Sequence, residues 1–169
     1  MRKAGASGLR FLKIIHLITA SLWLGGATAL VLLIGCLGAQ AESGDQLTGF
    51  NLAAKLVDDL VVIPGAMGCL LTGLLLSLFT HWGFFKQRWV AVKWLVTVGC
   101  ILFGTFFLGP LVNGQPLISA ELGLSALSDP AYLAARLKNL AGGLVQAALL
   151  IFLIYISVRK PWRGAKRLD

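Results

Sequence analysis

The sequence predicts an all-α protein: a four-transmembrane-helix bundle that forms a single integral membrane domain over residues 1–169. Of these residues, 57% are hydrophobic and 13% are charged, whereas soluble domains average about 25% charged residues. The mean hydropathy is +0.83. The apolar residues gather in four runs that reach the ~20 residues an α-helix needs to cross a bilayer. Composition and run length together therefore indicate a membrane protein with four spans.

Each predicted span follows from its own stretch of sequence. The first covers about residues 11–38 and is too long for the apolar region of a signal peptide, which has about 7–15 residues. The second covers about residues 60–82 and contains Pro64, which is expected to kink the helix or to begin its regular part. The third and fourth cover about residues 89–109 and 140–158. The short link between the second and third predicts that these two pack as antiparallel neighbours.

The two links on the opposite side of the bundle are longer, and their patterns predict local structure. Residues 45–59 are expected to carry helix into the second span. Ser128-Asp129-Pro130 combines a capping hydroxyl, an acid and a first-turn proline, so the fourth helix should begin there and run to about Arg159. Asn113-Gly114-Gln115-Pro116 is typical of a turn. Because leucines recur in both links, we expect the links to pack on the bundle.

Basic residues lie mostly on one side of the predicted bundle. They flank the first span, the short link and the end of the fourth span: Arg2, Lys3, Arg10, Lys13, Lys86, Arg88, Arg159, Lys160, Arg163, Lys166 and Arg167. The positive-inside rule then predicts both termini in the cytoplasm, for a multi-pass protein of the bacterial inner membrane. The positions of these residues indicate that the net charge of +8 serves interaction with the lipid bilayer and not with nucleic acid. On the opposite side, Asp58 and Asp59 are expected to pair with Arg136 and Lys138.

Three ionisable side chains define the candidate site. An ionisable residue within a span is costly and is a functional-site hypothesis by default. The predicted topology places His16, His81 and Lys93 about one turn inside the same membrane face, on three different helices, so they are expected to converge. Two other interpretations stay open, because His81-Trp82 suits the interfacial belt and Lys93 can extend its amine to the surface.

Helical spacing places further residues beside these three. His16, Trp23 and Gly26 share one face of the first helix, and neither this stripe nor the stripe that contains Lys93 should face lipid. A third polar stripe lies on the fourth span, nearer the outer face: Asn139, Gly142, Gly143 and Gln146.

The residue types suit haem b. A neutral imidazole is a good iron ligand, and the interior of a helix bundle is a usual haem site. His16 is the candidate metal ligand and His81 a candidate second ligand. Trp23 and Gly26 would flank the macrocycle, and Lys93 would bind a propionate. The alternative is that His16 is a packing histidine, hydrogen-bonded to a neighbouring hydroxyl.

The first span also resembles a known family. The pattern His16…Trp23-Leu-Gly25-Gly26 is similar to the first span of the copper-resistance-D-like membrane proteins and of their relatives, which include the four-helix, haem-binding protoporphyrinogen oxidase of bacteria. Lys93 resembles the lysine that these families carry early in a later span. The resemblance implies a four-helix bundle with haem b on His16.

A bacterial family of predicted integral membrane proteins in the same group resembles more of the chain. The shared features are Pro64-Gly65, Leu71-Thr72-Gly73-Leu, a Trp-Gly link, and Trp89-x-x-x-Lys93-Trp94. Two hypotheses follow. The first is a haem-b protein for electron transfer or for porphyrin or quinone redox chemistry, working with a membrane redox partner or quinone. The second is a cofactor-free membrane module that transports a small solute or metal, or assists assembly of a membrane complex.

Overall fold

A computed structural model describes residues 5–80 and 87–161, and within these ranges the chain is helical and contains no β-strand. Local patterns account for the boundaries of several helices, which begin at capping residues or prolines. The α-helices of the described ranges are α1 (Ala6–Leu32), α2 (Gly44–Val57), α3 (Ile63–Phe79), α4 (Arg88–Phe103), α5 (Gly109–Leu122) and α6 (Pro130–Arg159).

Short π-helical and 3₁₀ segments join these helices into four long rods. The π-helical segments are Leu33–Leu37 after α1, Asp58–Val62 between α2 and α3, and Gly104–Leu108 between α4 and α5. The resulting rods are Ala6–Gln40, Gly44–Phe79, Arg88–Ser128 and Pro130–Arg159. All four are long and apolar enough to cross a membrane. The predicted all-helical class with four such helices is thus confirmed, and it is compatible with a multi-pass membrane protein.

The rods are longer than a bilayer requires. They contain 30 to 41 residues, or ~45–60 Å at 1.5 Å per residue, whereas the hydrocarbon core is ~30 Å thick. We call the end where α1 begins, α3 ends, α4 begins and α6 ends the basic end, after Lys13, Arg88, Arg159 and Lys160. The opposite end, formed by α2, α5 and the first turns of α6, is the far end.

At the far end, local signals set the helix starts as predicted. The Asp129 carboxylate accepts a hydrogen bond from the Tyr132 backbone N–H at 2.8 Å, and Pro130 follows it in the first turn. The capping group is therefore Asp129 and not the Ser128 hydroxyl. The Ser43 hydroxyl caps α2 by accepting from the Gln46 N–H at 3.1 Å. The predictions of a helix before the second span and of a fourth helix ending at Arg159 are confirmed.

The predicted turn over residues 113–116 is wrong, because these residues lie within α5. One face of α5 is buried, including Gln115 at 2% and Ser119 at 1% exposure. Asn51 of α2 donates a hydrogen bond to the Ser119 hydroxyl at 3.0 Å and another to the Tyr132 hydroxyl at 3.0 Å. Packing on α2 and α6 outweighs the local turn preference, as tertiary context commonly does.

The far-end helices cover each other in part. Leu47 is fully buried in a cluster with Ala126 and Tyr132, which confirms for this residue that the links pack on the bundle. Leu117, by contrast, is 74% exposed, because a helix at the edge of a bundle buries one face and leaves the other outside.

The predicted ion pairs at the far end are also wrong. Lys55 pairs with Asp59, one helical turn away on the same rod. Arg136 instead donates to the Ile34 and Gly35 carbonyl oxygens at 2.9 and 3.2 Å. Those carbonyls belong to a π-helical segment, where the regular ladder is interrupted and acceptors are available. The guanidinium thus binds backbone, and Asp58 forms no ion pair with a residue of the described ranges.

Neighbouring helices differ in how closely they pack. Glycines of α3 allow it to approach α1 closely: a Cβ at Gly65 would lie 2.8 Å from the Trp23 backbone nitrogen. Pro64 begins the regular part of α3, one of its two expected effects. In contrast, α3 and α4 touch at few positions, one being the hydrogen bond from the Trp94 indole N–H to the Ser77 hydroxyl at 3.2 Å. The short link therefore does not pack α3 tightly against α4, and a gap remains between them.

Candidate functional site: two cavities that meet at Trp23

The gap next to α3 and α4 contains a cavity at the basic end, with a volume of about 390 Å³. All four rods contribute to its lining, and most of the lining residues are apolar. Cavities of this size, apolar with a few placed polar groups, are typical of small-molecule and cofactor sites. We call it the basic-end cavity.

His16 occupies the wall of this cavity in a defined orientation. Its Nδ1 lies 2.8 Å from the Thr72 hydroxyl oxygen. That hydroxyl donates its own hydrogen to the Gly68 carbonyl at 2.6 Å, so it accepts from His16. The hydrogen therefore lies on Nδ1, and Nε2 carries the lone pair. Within the described ranges, Nε2 has no hydrogen-bond partner. It is the atom of His16 that is available to a ligand.

Aromatic and basic groups face His16 from α4. The Lys93 amine lies 5.8 Å from the centre of the Trp89 ring, within range of a cation–π contact. Trp94 also lines the cavity. Lys13 and Lys160 contribute two further amines, and among the described lining residues none is an acid. The cavity is therefore apolar in its walls and positive in its charge.

The structure brings together three of the five residues selected from the sequence. His16, Trp23 and Lys93 line the basic-end cavity. Gly26 does not line it; a Cβ at Gly26 would meet Val62 at 2.7 Å, so this glycine admits α1 close to the second rod. His81 lies outside the described residues. The cofactor-binding roles of all five stay predictions.

A second cavity of about 400 Å³ lies toward the far end, and we call it the far-end cavity. Each π-helical segment contributes to its lining, with Ile34, Asp58 and Thr105 among the residues concerned. π-Helical turns interrupt the regular spacing of side chains and are frequent at functional sites. Three residues of the polar stripe on α6 line it as well, namely Asn139, Gly143 and Gln146. The sequence analysis selected this stripe but did not predict the cavity.

Three buried polar atoms around the far-end cavity have no hydrogen-bond partner in the described part of the chain. They are Asn139 Nδ2, Gln146 Oε1 and Trp23 Nε1. Asn139 and Gln146 are 3% and 5% exposed, so bulk water does not reach them freely. An unpaired buried polar atom costs about 1–3 kcal/mol, so a water or a polar group of a ligand in this cavity would be stabilised by these atoms.

Asp58 adds a charge to this cavity. It lies just before the apolar stretch that starts at Leu60. Among the described lining residues Asp58 is the single charged side chain, and none is basic. The two cavities thus have opposite charges.

Trp23 separates the two cavities. Among the described lining residues, it alone borders both. Its side chain is 2% exposed and packs in the central core with Ala27, Val62, Ala66 and Cys100. A buried indole therefore forms the partition near the middle of the bundle.

Several residue types in the lining of the basic-end cavity are ones that haem b could use. His16 would offer Nε2 as a ligand atom, Trp23 and Trp94 would lie beside the macrocycle, and Lys93 would pair with a propionate. Comparison with protein-family models, curated proteins and solved structures finds no match to this chain. The functional conclusion therefore depends on the chemistry of the cavities.

Proposed function

We propose that this chain is a haem-b-binding protein of the bacterial inner membrane, with both termini in the cytoplasm. The observation that carries the proposal is the hydrogen bond between His16 Nδ1 and the Thr72 hydroxyl. Metal-ligating histidines usually donate the hydrogen of one ring nitrogen in this way, which fixes the tautomer and aims the other nitrogen at the metal. Thr72 performs this role here and leaves Nε2 to bind iron.

The remaining side chains of the cavity position and screen the group. Lys93 and Lys160 lie where amines can pair with propionate carboxylates. Trp23 closes the cavity toward the far end, and Trp94 is fixed by its bond to Ser77. Haem b, when bound, supplies one-electron redox chemistry. A membrane redox partner or a quinone would exchange the electron, either for electron transfer or in porphyrin or quinone redox chemistry.

Optical spectra of the purified protein test this proposal. Wild-type protein made with ample haem should show a Soret band that shifts on reduction. His16→Ala should be folded and colourless, because it lacks the iron ligand. Lys93→Met should retain part of the haem, because it loses the charge but keeps the stem of the side chain. His81→Ala should matter only if iron has two histidine ligands.

The control is Gln146→Leu, a buried substitution in the other cavity, which should keep the full Soret band. Size-exclusion chromatography establishes that each variant is folded. Colourless wild-type protein, or an unchanged Soret band in His16→Ala, would refute haem binding at His16.

A second function is favoured by a different observation, the two cavities that meet at Trp23. Under this alternative the protein is a cofactor-free module that moves a small solute or metal between the cavities, or that assists assembly of a membrane complex. It predicts colourless protein. For transport, Trp23→Ala should raise solute flux into proteoliposomes, because it removes the partition; unchanged flux would argue against a path through Trp23.

A further inference from the structure

The far-end cavity has the features of a ligand site that is independent of haem. It is about 400 Å³ in volume and mainly apolar, which suits a small organic molecule. Two carboxamides that are more than nine-tenths buried, Asn139 and Gln146, each leave a polar atom without a protein partner. Three interruptions of regular α-helix surround the same space. These observations indicate a molecule that is apolar in part and polar at one end.

The charged side chain in the lining of the far-end cavity indicates which class of ligand the cavity would bind. Asp58 lines the cavity and makes no ion pair or hydrogen bond within residues 5–80 and 87–161. Lys55, about one helical turn earlier on the same rod, pairs with Asp59 instead. A half-buried carboxylate without a partner favours a cation, because the cation restores the interactions that burial removed.

We propose that the far-end cavity binds a small organic ammonium ion. The Asp58 carboxylate pairs with the ammonium group, and the Gln146 amide oxygen accepts one of its hydrogens. The aliphatic or aromatic part of the ligand lies against apolar residues such as Ile34, Val62 and Leu108. Asn139 contributes an N–H to an acceptor on the ligand or to a water that accompanies it.

The two cavities should not share this ligand. The basic-end cavity is lined by Lys13, Lys93 and Lys160, and these amines repel a cation that passes Trp23. The far-end cavity is therefore proposed as a binding site separate from the basic-end cavity. Its occupation does not depend on His16, which distinguishes it from the haem proposal.

Isothermal titration calorimetry on the purified protein in a non-ionic detergent tests the site. The probes are benzylammonium chloride and two molecules of similar shape, neutral benzyl alcohol and anionic phenylacetate. Benzylammonium should bind saturably and benzyl alcohol about tenfold or more weakly, because only the ammonium group is attracted by the Asp58 carboxylate. Phenylacetate should not bind, because the carboxylate repels it.

The adjacent acids provide a matched pair of variants. Asp58→Asn should weaken benzylammonium binding about tenfold or more, while Asp59→Asn should change it less than about twofold, because Asp59 does not line the cavity. His16→Ala should bind benzylammonium as wild type does, whether or not it holds haem. If Asp58→Asn fails to fold, the proposal is tested by Gln146→Leu, which should weaken benzylammonium binding, and by the comparison of the three probes on wild-type protein.

Three results would overturn the proposal. The first is equal binding of benzyl alcohol and benzylammonium, which would show that the carboxylate does not select the ligand. The second is equal weakening by Asp58→Asn and Asp59→Asn, which would indicate a general surface-charge effect. The third is no saturable binding of benzylammonium by wild-type protein at millimolar concentration.

Discussion

At the scale of single residues, the Thr72 hydroxyl controls what His16 can do. It donates to the Gly68 carbonyl and accepts from His16 Nδ1, so one small side chain fixes both a tautomer and a ring orientation. A histidine that is free to rotate would have to lose that freedom before binding iron. The same ring lies against Gly73, where a Cβ would be 3.6 Å from His16 Cε1.

We therefore predict a difference between two substitutions at Thr72. Thr72→Val keeps the shape but removes the acceptor, and it should weaken haem binding about 10–100-fold, as loss of such outer partners commonly does. Thr72→Ser keeps the hydroxyl and should retain most of the affinity. Haem transfer to apomyoglobin measures both. Equal haem loss in the two variants would mean that the methyl group, and not the hydroxyl, supports the site.

At the scale of helices, glycines of α3 set the close contact with α1. Gly65 and Gly68 of α3 meet the backbone of Trp23 and the side chain of Thr19 at distances that leave no room for a larger residue. This contact holds α1 and α3 together. Away from it, the π-helical segments border the far-end cavity, and α3 and α4 separate.

The glycine contact leads to a prediction about stability. Gly65→Ala places a methyl group 2.8 Å from the Trp23 backbone nitrogen, so α1 and α3 must move apart at a cost of about 1–3 kcal/mol. The control is Gly99→Ala on α4, where nothing lies within 4 Å of the new Cβ and helix propensity favours alanine by about 0.5–1 kcal/mol. In thermal unfolding in detergent, the midpoint of Gly65→Ala should be lower than that of the wild type, whereas the midpoint of Gly99→Ala should not. A similar midpoint for both variants would contradict this account.

At the scale of the whole molecule, charge differs between the two ends. Lysines line the cavity of the basic end, and Asp58 lines the cavity of the far end. The rods are longer than a ~30 Å hydrocarbon core is thick, and at the far end α2 and α5 pack on each other. The positive-inside rule predicts that the basic end faces the cytoplasm.

This orientation predicts a labelling pattern in intact cells. In a background without the native cysteines, Glu42→Cys at the far end should react with a membrane-impermeant maleimide added from outside. Ser7→Cys at the basic end should react only after the membrane is opened. Both positions are exposed in the fold, so access depends on the membrane alone. The opposite pattern would reverse the topology.

The sequence determined by itself the features that depend on local chemistry or on the bilayer. Four apolar runs predict four spanning helices because the thickness of the hydrocarbon core sets their length. The start of α6 follows from Asp129 and Pro130, since capping involves neighbouring residues. His16 and Lys93 were expected to face the interior because polar groups avoid lipid.

Tertiary structure alone decided the features that depend on which partner a side chain finds. Residues 113–116 form helix because α2 covers one face of α5. Within the described residues, Asp59 pairs with Lys55 whereas Asp58 forms no ion pair, although the two acids are adjacent in the sequence. Likewise, Trp23 borders both described cavities, and α3 packs on α1 but touches α4 at few positions. Contacts between residues far apart in the chain decide these features. The spacing of those residues along the sequence does not predict which of them will be in contact.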